Sequence, residues 1–303
     1  MSFPPDVYLI GAPKAGTTTL AEILETHPEV TVSTPKEPHY FTQNWDRDLD
    51  WYRARFPAGV GGMLVDASTS YAADPLGTVA ESPLSGVPER IRQVNPDARF
   101  IYVVREPVAR TYSAYWHDVR LGYERLPFWE AITEDPTYLA TSDYAAQLEK
   151  YLPYFDPDRF LILTAEALWK DNLEVANKCF AFMGLEAMEE ASLPSLHKNK
   201  SYAYNGLGRY VFGLLNSDSN LKRASDLAKK ILPDSAYKAL GRALTKEIPP
   251  IRPWQRARLE ELFAAKNERF RELTGVETGY KEPGDLREET AGSGANGPVR
   301  EEG

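Results

Sequence analysis

The sequence predicts an α/β fold of three layers, α/β/α, around a mainly parallel central sheet, and three observations predict it. Short apolar runs recur at Val7 to Ile10, Val30 to Val32, Met63 to Asp66, Arg99 to Val104 and Phe160 to Thr164. The segments between them are long enough for helical crossovers, and such alternation builds a parallel sheet covered on both faces. The first run leads through Gly11 to Gly16 into a helical pattern, the strand, glycine loop, helix order of a phosphate cradle.

Each element follows from its residues. Val7 to Ile10 reads as a short buried strand, and Thr17 to Glu25 opens an amphipathic helix. Val108 to Val119, Tyr144 to Phe155, Leu173 to Met183 and Pro253 to Thr274 are the clearest further helices, the last with Pro253 at its start and Gly275 just past its end. Ser192 to Asn220 mixes basic, aromatic, Asn and Gly residues with little periodicity and reads as a long ordered loop. Lys222 to Leu244 reads as two amphipathic helices broken at Pro233, so a helical cap or lid is expected over 220–250, within one domain covering 1–283. From about Gly284 to Gly303 the chain is polar, charged and Gly-rich, and a disordered acidic tail is expected.

Composition narrows the class. With 303 residues, 43% of them hydrophobic, the chain can bury a full core in one domain. The longest apolar runs are far too short to span a bilayer, and no charged, apolar leader precedes the first strand, so a cytoplasmic location is expected. Cys179 is the only cysteine, which excludes an intrachain disulfide and thiolate metal clusters. A net charge of −9 argues against a nucleic-acid surface.

Three segments carry chemistry. In Gly11-Ala12-Pro13-Lys14-Ala15-Gly16-Thr17-Thr18-Thr19, loop and first-turn amides, the helix dipole and the threonine hydroxyls would meet an anion. A triphosphate-binding loop has lysine directly after its second glycine. Here Thr17 stands there and Lys14 lies inside the loop, suited to neutralising a bridging oxygen; the alternative is a glycine turn with a surface lysine. Arg105 ends the fourth strand, where ligands bind in open α/β sheets, and Ser113 follows two helical turns later with Arg110 one turn before it, a set suited to a second phosphate. Arg105 could instead pair with Glu106 for structure. In Thr34 to Thr42, Glu37 and His39 would face the same side if the segment is extended, as a base and its partner or as a solvated loop with a Lys36-Glu37 pair. Trp45, Trp51, Tyr52, Tyr71, Tyr115 and Trp116 fit an acceptor pocket or plain core.

With these residues in order, the chain resembles the PAPS-dependent sulfotransferases, in particular their heparan-sulfate-type and related bacterial branch. The family's 5′-phosphosulfate loop is similar to Gly11 to Thr18, its 3′-phosphate motif to Arg105-Glu106-Pro107 through Ser113, and the stretch supplying its catalytic glutamate to Lys36-Glu37-Pro38-His39-Tyr40-Phe41. Tyr144 with Leu148, and Glu166-Ala167-Leu168, fit weaker family patterns.

The resemblance implies a sulfotransferase fold related to nucleotide kinases, with 3′-phosphoadenosine-5′-phosphosulfate (PAPS) as donor, 3′-phosphoadenosine-5′-phosphate as product and no metal. It implies that Lys14, Ala15, Gly16, Thr17, Thr18 and Thr19 hold the 5′ side of the donor and Arg105 with Ser113 the 3′-phosphate. Lys14, Glu37 and His39 would act at the reacting centre, with Glu37 as general base on a hydroxyl or amine of a glycan, lipid or small-molecule acceptor. Two departures stand out. Ala67 occupies the place of a lysine found in glycosaminoglycan-modifying relatives, which speaks against a polymeric, highly anionic acceptor. The loop that closes over the adenosine is matched by Lys198-Asn199-Lys200-Ser201-Tyr202, serine replacing glycine, and Lys200 and Tyr202 are carried over from it as donor contacts. The competing expectations are an ATP-dependent kinase, with Asp66 as its magnesium ligand, and a nucleotide-binding module without chemistry.

Overall fold

Five strands, Val7–Gly11 (β1), Val30–Val32 (β2), Met63–Asp66 (β3), Arg99–Val104 (β4) and Phe160–Thr164 (β5), form one sheet in the order β2-β3-β1-β4-β5. Every neighbouring pair is parallel. The computed structural model describes residues 3–57, 62–189, 202–204 and 244–278. The helices are Thr17–Leu24 (α1), Leu49–Arg53 (α2), Val87–Val94 (α3), Pro107–Leu121 (α4), Phe128–Glu134 (α5), Thr137–Ala140 (α6), Tyr144–Glu149 (α7), Ala165–Lys170 (α8), Asn172–Met183 (α9) and Pro253–Thr274 (α10).

Both faces of the sheet are covered, because β1 and β4 are central and alternate side chains must all be buried. On one face Phe100 packs edge-on to Tyr151 and Phe155, and Tyr102 to Tyr144, which in turn meets Phe270 of α10. On the other, α1 lies against α9, and Arg99 at the start of β4 donates to the Phe182 carbonyl at the end of α9. A second apolar cluster joins Val108 and Tyr115 of α4, Phe128 and Ile132 of α5, and Leu259 and Phe263 of α10.

Because all five strands run the same way, the loops leaving their C-terminal ends open on one edge of the sheet. The chain moves from β1 to β2 on one side and later crosses to β4 on the other, so β1 marks the switch point where open α/β sheets bind ligands. The expected strand bounds match those observed, apart from Gly11 joining β1.

Three expectations are corrected. The helix expected over Tyr144 to Phe155 stops at Glu149, four residues before Pro153, whose ring and missing N–H oppose a continuing helix. Within the expected loop Ser192 to Asn220, Tyr202–Tyr204 (β6) is a strand, paired antiparallel with Thr245–Glu247 (β7). Residues 245–247 of the expected cap over 220–250 are thus strand, satisfying their backbone groups across to β6. The remainder of that cap up to residue 243, the residue Lys200, and the tail 284–303 lie outside the described residues.

Candidate active site

The loop after β1 is shaped by backbone geometry. Ala12 N–H donates 2.6 Å to the Val103 carbonyl of β4, anchoring the turn to the neighbouring strand. Gly16 caps α1 in the left-handed conformation (φ 87°), and a Cβ there would lie 3.3 Å from Leu168 and 3.5 Å from the Trp169 indole nitrogen. No side chain caps α1, and the first-turn amides of a helix have no partner within it, so the amides beside Thr17, Thr18 and Thr19 form an uncapped donor cluster. Thr17 and Ala15 are buried, Thr19 is half-buried and Thr18 exposed.

Lys14 also sits in left-handed backbone (φ 72°), which costs a non-glycine residue about 1–2 kcal/mol and is the kind of strain that collects at functional sites. Its ammonium lies 3.3 Å from His117 Nδ1. Burial lowers its pKa, Arg120 and Arg105 add to that, and Asp118 and Glu37 oppose it.

Arg105 ties the first and second motifs together: its Nη1 donates 3.1 Å to the Lys14 carbonyl, and its guanidinium lies 5.0 Å from the centre of the Trp169 ring. Tyr144 fixes the strand end by donating 2.8 Å to the Arg105 carbonyl, and Glu166 accepts from the Glu106 amide. The Arg105 Nε is buried and has no partner, the kind of unspent donor that an anionic ligand satisfies. Glu106 does not pair with Arg105. Its carboxylate caps α4, accepting from the Val108 and Ala109 amides at 2.9 and 2.8 Å, and Arg256 lies 3.6 Å away. Arg110 is corrected as a phosphate ligand, since it is fully buried and spent on the Ser142 hydroxyl and the Tyr138 carbonyl. Ser113 is half-buried two turns along α4, and β6, which contains Tyr202, runs beside that helix.

The third motif is irregular rather than extended, which corrects the alternation expected for Glu37 and His39. His39 turns into left-handed backbone (φ 51°), and that turn brings its Nε2 to 3.7 Å from Glu37 Oε2. His39 Nδ1 lies 2.8 Å from the Ser70 hydroxyl, and its amide donates to Ser68 Oγ. Glu37 Oε1 accepts 2.8 Å from Lys36, so the expected pair exists, but Oε2 also accepts 2.9 Å from Thr69 Oγ1. Burial pushes the Glu37 carboxyl up, yet the Lys36 ammonium with its hydrogen bond, Thr69 and His39 together hold it below its ordinary value. Burial keeps His39 below the ordinary imidazole range, against the pull of Glu37.

Asp66 is excluded as a metal ligand by its partners. It is fully buried, Oδ1 accepts from the Ser68 amide and hydroxyl at 3.0 and 2.6 Å, and Oδ2 from the Tyr52 and Tyr71 hydroxyls at 2.6 and 2.7 Å. All four lone-pair positions are used. Tyr52 and Tyr71 are therefore core, with Trp45 and Trp51 packed on the same cluster, and Tyr115, whose hydroxyl donates to the Leu126 carbonyl, belongs to the second. Among the described residues no three His, Cys, Asp or Glu side chains group as a metal site, and no helix is long and apolar enough to cross a membrane.

Sequence reasoning missed Thr69, Ser70 and His117. The first two follow β3 at the same sheet edge as the other motifs, and His117 lies four residues after Ser113, on one face of α4. Those spacings were available signals.

Residues 4–206 match the family model described as the sulfotransferase domain. The chain belongs to the sulfotransferase family. The expected resemblance to PAPS-dependent sulfotransferases of the heparan-sulfate type is borne out by its relatives. This sulfotransferase is 26% identical over 285 residues to human (Homo sapiens) heparan sulfate glucosamine 3-O-sulfotransferase 6, across 91% of this chain and 73% of that protein. It is 30% identical over 197 residues to human heparan sulfate glucosamine 3-O-sulfotransferase 5, across 60% of this chain and 54% of that one. The crystal structure of a sulfotransferase from Alicyclobacillus acidocaldarius superposes with a TM-score of 0.63 at 22% identity, covering 94% of this chain and 100% of the other, and shows the same fold.

Proposed function

We propose that this sulfotransferase moves the sulfuryl group of PAPS to a hydroxyl, or an amine, of a glycan, lipid or small-molecule acceptor, with Glu37 as general base. The observation that carries this is the meeting of three separate motifs on one sheet edge: Arg105, after β4, donates to the Lys14 carbonyl in the loop after β1, and Glu37, after β2, accepts from Thr69 after the neighbouring β3.

PAPS supplies an activated sulfur and a leaving group with a 5′-phosphate and a 3′-phosphate. The α1 amides with Thr17, Thr18 and Thr19 would hold the first, and Arg105, whose Nε is unspent, with Ser113 the second. Tyr202, on β6 beside α4, and Lys200 are carried over from the resemblance as donor contacts. Lys14 would stabilise negative charge gathering on the bridging oxygen, an electrostatic effect of the kind that dominates group transfer. Glu37 would take the proton of the attacking hydroxyl as the new S–O bond forms and the old one breaks, and His39, tied to Ser70, would orient that carboxylate. A magnesium-dependent kinase is disfavoured because Asp66 has no lone pair to spare.

The two human relatives are named for a glucosamine of heparan sulfate, which favours a sugar hydroxyl as acceptor. Ala67 is fully buried here and offers no charge to a sulfated chain, which favours a neutral or short acceptor over a long polyanion. The test is a panel of sugar, lipid and phenol acceptors with sulfur-labelled PAPS, run beside Glu37→Gln. Label transfer by the wild type, with turnover lost and 3′-phosphoadenosine-5′-phosphate binding kept in the variant, is expected. Equal turnover in both removes Glu37 from the chemistry, and tight binding of ATP with magnesium in place of the product nucleotide ends the sulfotransferase donor assignment.

A further inference from the structure

His117 belongs to none of the three motifs, yet it lies against Lys14. Its Nδ1 is 3.3 Å from the Lys14 ammonium and 2.8 Å from Arg120 Nη2. Both neighbours are cations that can only donate, so Nδ1 presents its single lone pair to both, more closely to Arg120 than to Lys14, and the ring proton sits on Nε2. The imidazole is therefore a neutral acceptor between two positive groups, unable to serve as an acid and with its basic nitrogen already engaged.

Helix geometry makes the arrangement rigid. His117 and Arg120 are three residues apart on α4, so they face the same way, and α4 is anchored at its start by the Glu106 cap and along its length by Val108, Thr111 and Tyr115, all buried. Lys14 instead hangs from a short strained loop, and a lysine side chain has about 2 kcal/mol of rotamer entropy to lose when it is fixed. A fixed acceptor at its tip removes that freedom before the reaction begins, the preorganisation that makes electrostatic stabilisation effective.

We propose that His117 is a positioning residue that holds the Lys14 ammonium at the reacting centre through its Nδ1 lone pair, with Arg120 fixing the imidazole. This rests on the role given to Lys14 above. The charges facing His117 come from three elements: Lys14 from the loop after β1, Glu37 from the segment after β2, and Arg120 from its own helix. Burial, then Lys14 and then Arg120 push its pKa down to about 4, with Glu37 opposing, so the acceptor form persists at neutral pH.

A double-mutant cycle tests the proposal. His117→Ala is expected to lower kcat at least tenfold while KM for PAPS changes less than threefold, and His117→Gln, which restores an acceptor oxygen, is expected to recover much of the loss. In a Lys14→Ala background His117→Ala should add little, because the group it positions is gone. Equal effects of His117→Ala with and without Lys14, or no recovery in a folded His117→Gln protein, overturn it. A second readout needs no turnover: the His117 ring, followed by NMR, should titrate at higher pH in Lys14→Ala, since a neighbouring cation has been removed. An unmoved titration overturns the contact even if PAPS is the wrong donor, whereas a moved titration without label transfer leaves the contact standing and removes the donor assignment.

Discussion

The Thr69 hydroxyl donates a 2.9 Å hydrogen bond to Glu37 Oε2, joining the chain that leaves β3 to the chain that leaves β2. Together with the Lys36 ammonium on Oε1, it holds the carboxylate ionised and aimed in spite of partial burial. A base on the rising limb of a pH profile acts in its deprotonated form, so its lowered pKa places that limb below the ordinary glutamate range. Lys36→Met and Thr69→Val should each move the acidic limb of kcat/KM to higher pH. An unchanged limb in both, measured as a full pH profile, would show that another group sets it.

Lys14 governs the opposite limb. Its ammonium must stay protonated to stabilise the leaving oxygen, and burial with Arg120 lowers its pKa, so the alkaline decline in activity should set in at a lower pH than that at which an exposed lysine titrates. Lys14→Ala should lower kcat by about two to three orders of magnitude, the range found for loss of one preorganised transition-state donor. Affinity for 3′-phosphoadenosine-5′-phosphate, read by calorimetry, should fall far less.

Arg105 and Arg110 separate binding from folding although they lie only five residues apart. Arg105→Gln should weaken product-nucleotide binding by roughly 10- to 100-fold, the value of one charge-assisted contact, with the melting temperature little changed. Arg110→Ala should instead destabilise the fold, because Ser142 and the Tyr138 carbonyl lose a buried donor, at about 1–3 kcal/mol for each group left unsatisfied. The opposite pattern, a stable Arg110→Ala protein with poor nucleotide binding, would return Arg110 to the site.

Burial pushes Asp66 from an ordinary value near 3.8 up to about 6. The folded chain therefore holds a proton that the unfolded chain has released between those values, and stability falls as pH rises through that window. Relative to Asp66→Asn, which cannot ionise, the wild type should lose up to about 3 kcal/mol between pH 4 and 6, at about 1.4 kcal/mol per pKa unit. Asp66→Ala should cost about 3–5 kcal/mol below that window and less above it, since two tyrosine hydroxyls and both Ser68 donors lose their acceptor. Denaturant unfolding across pH checks both.

What the residues determined by themselves was local. The bounds of β2, β3, β4, β5 and α10 were legible because apolar runs and Pro and Gly punctuation are properties of neighbouring residues. The displaced lysine of the first loop, the Arg105 strand end and the Glu37 stretch were legible for the same reason. Only the tertiary structure decided which buried cation was spent, because Arg105 and Arg110 look alike in a sequence and differ only in what surrounds them. It also decided that His39 meets Glu37 by a left-handed turn, that Glu106 serves a helix rather than an arginine, and that His117, 103 residues from Lys14, stands at its tip. The last is a contact between distant segments, which parallel packing creates, whereas the first two turn on backbone conformation that residue types alone do not fix.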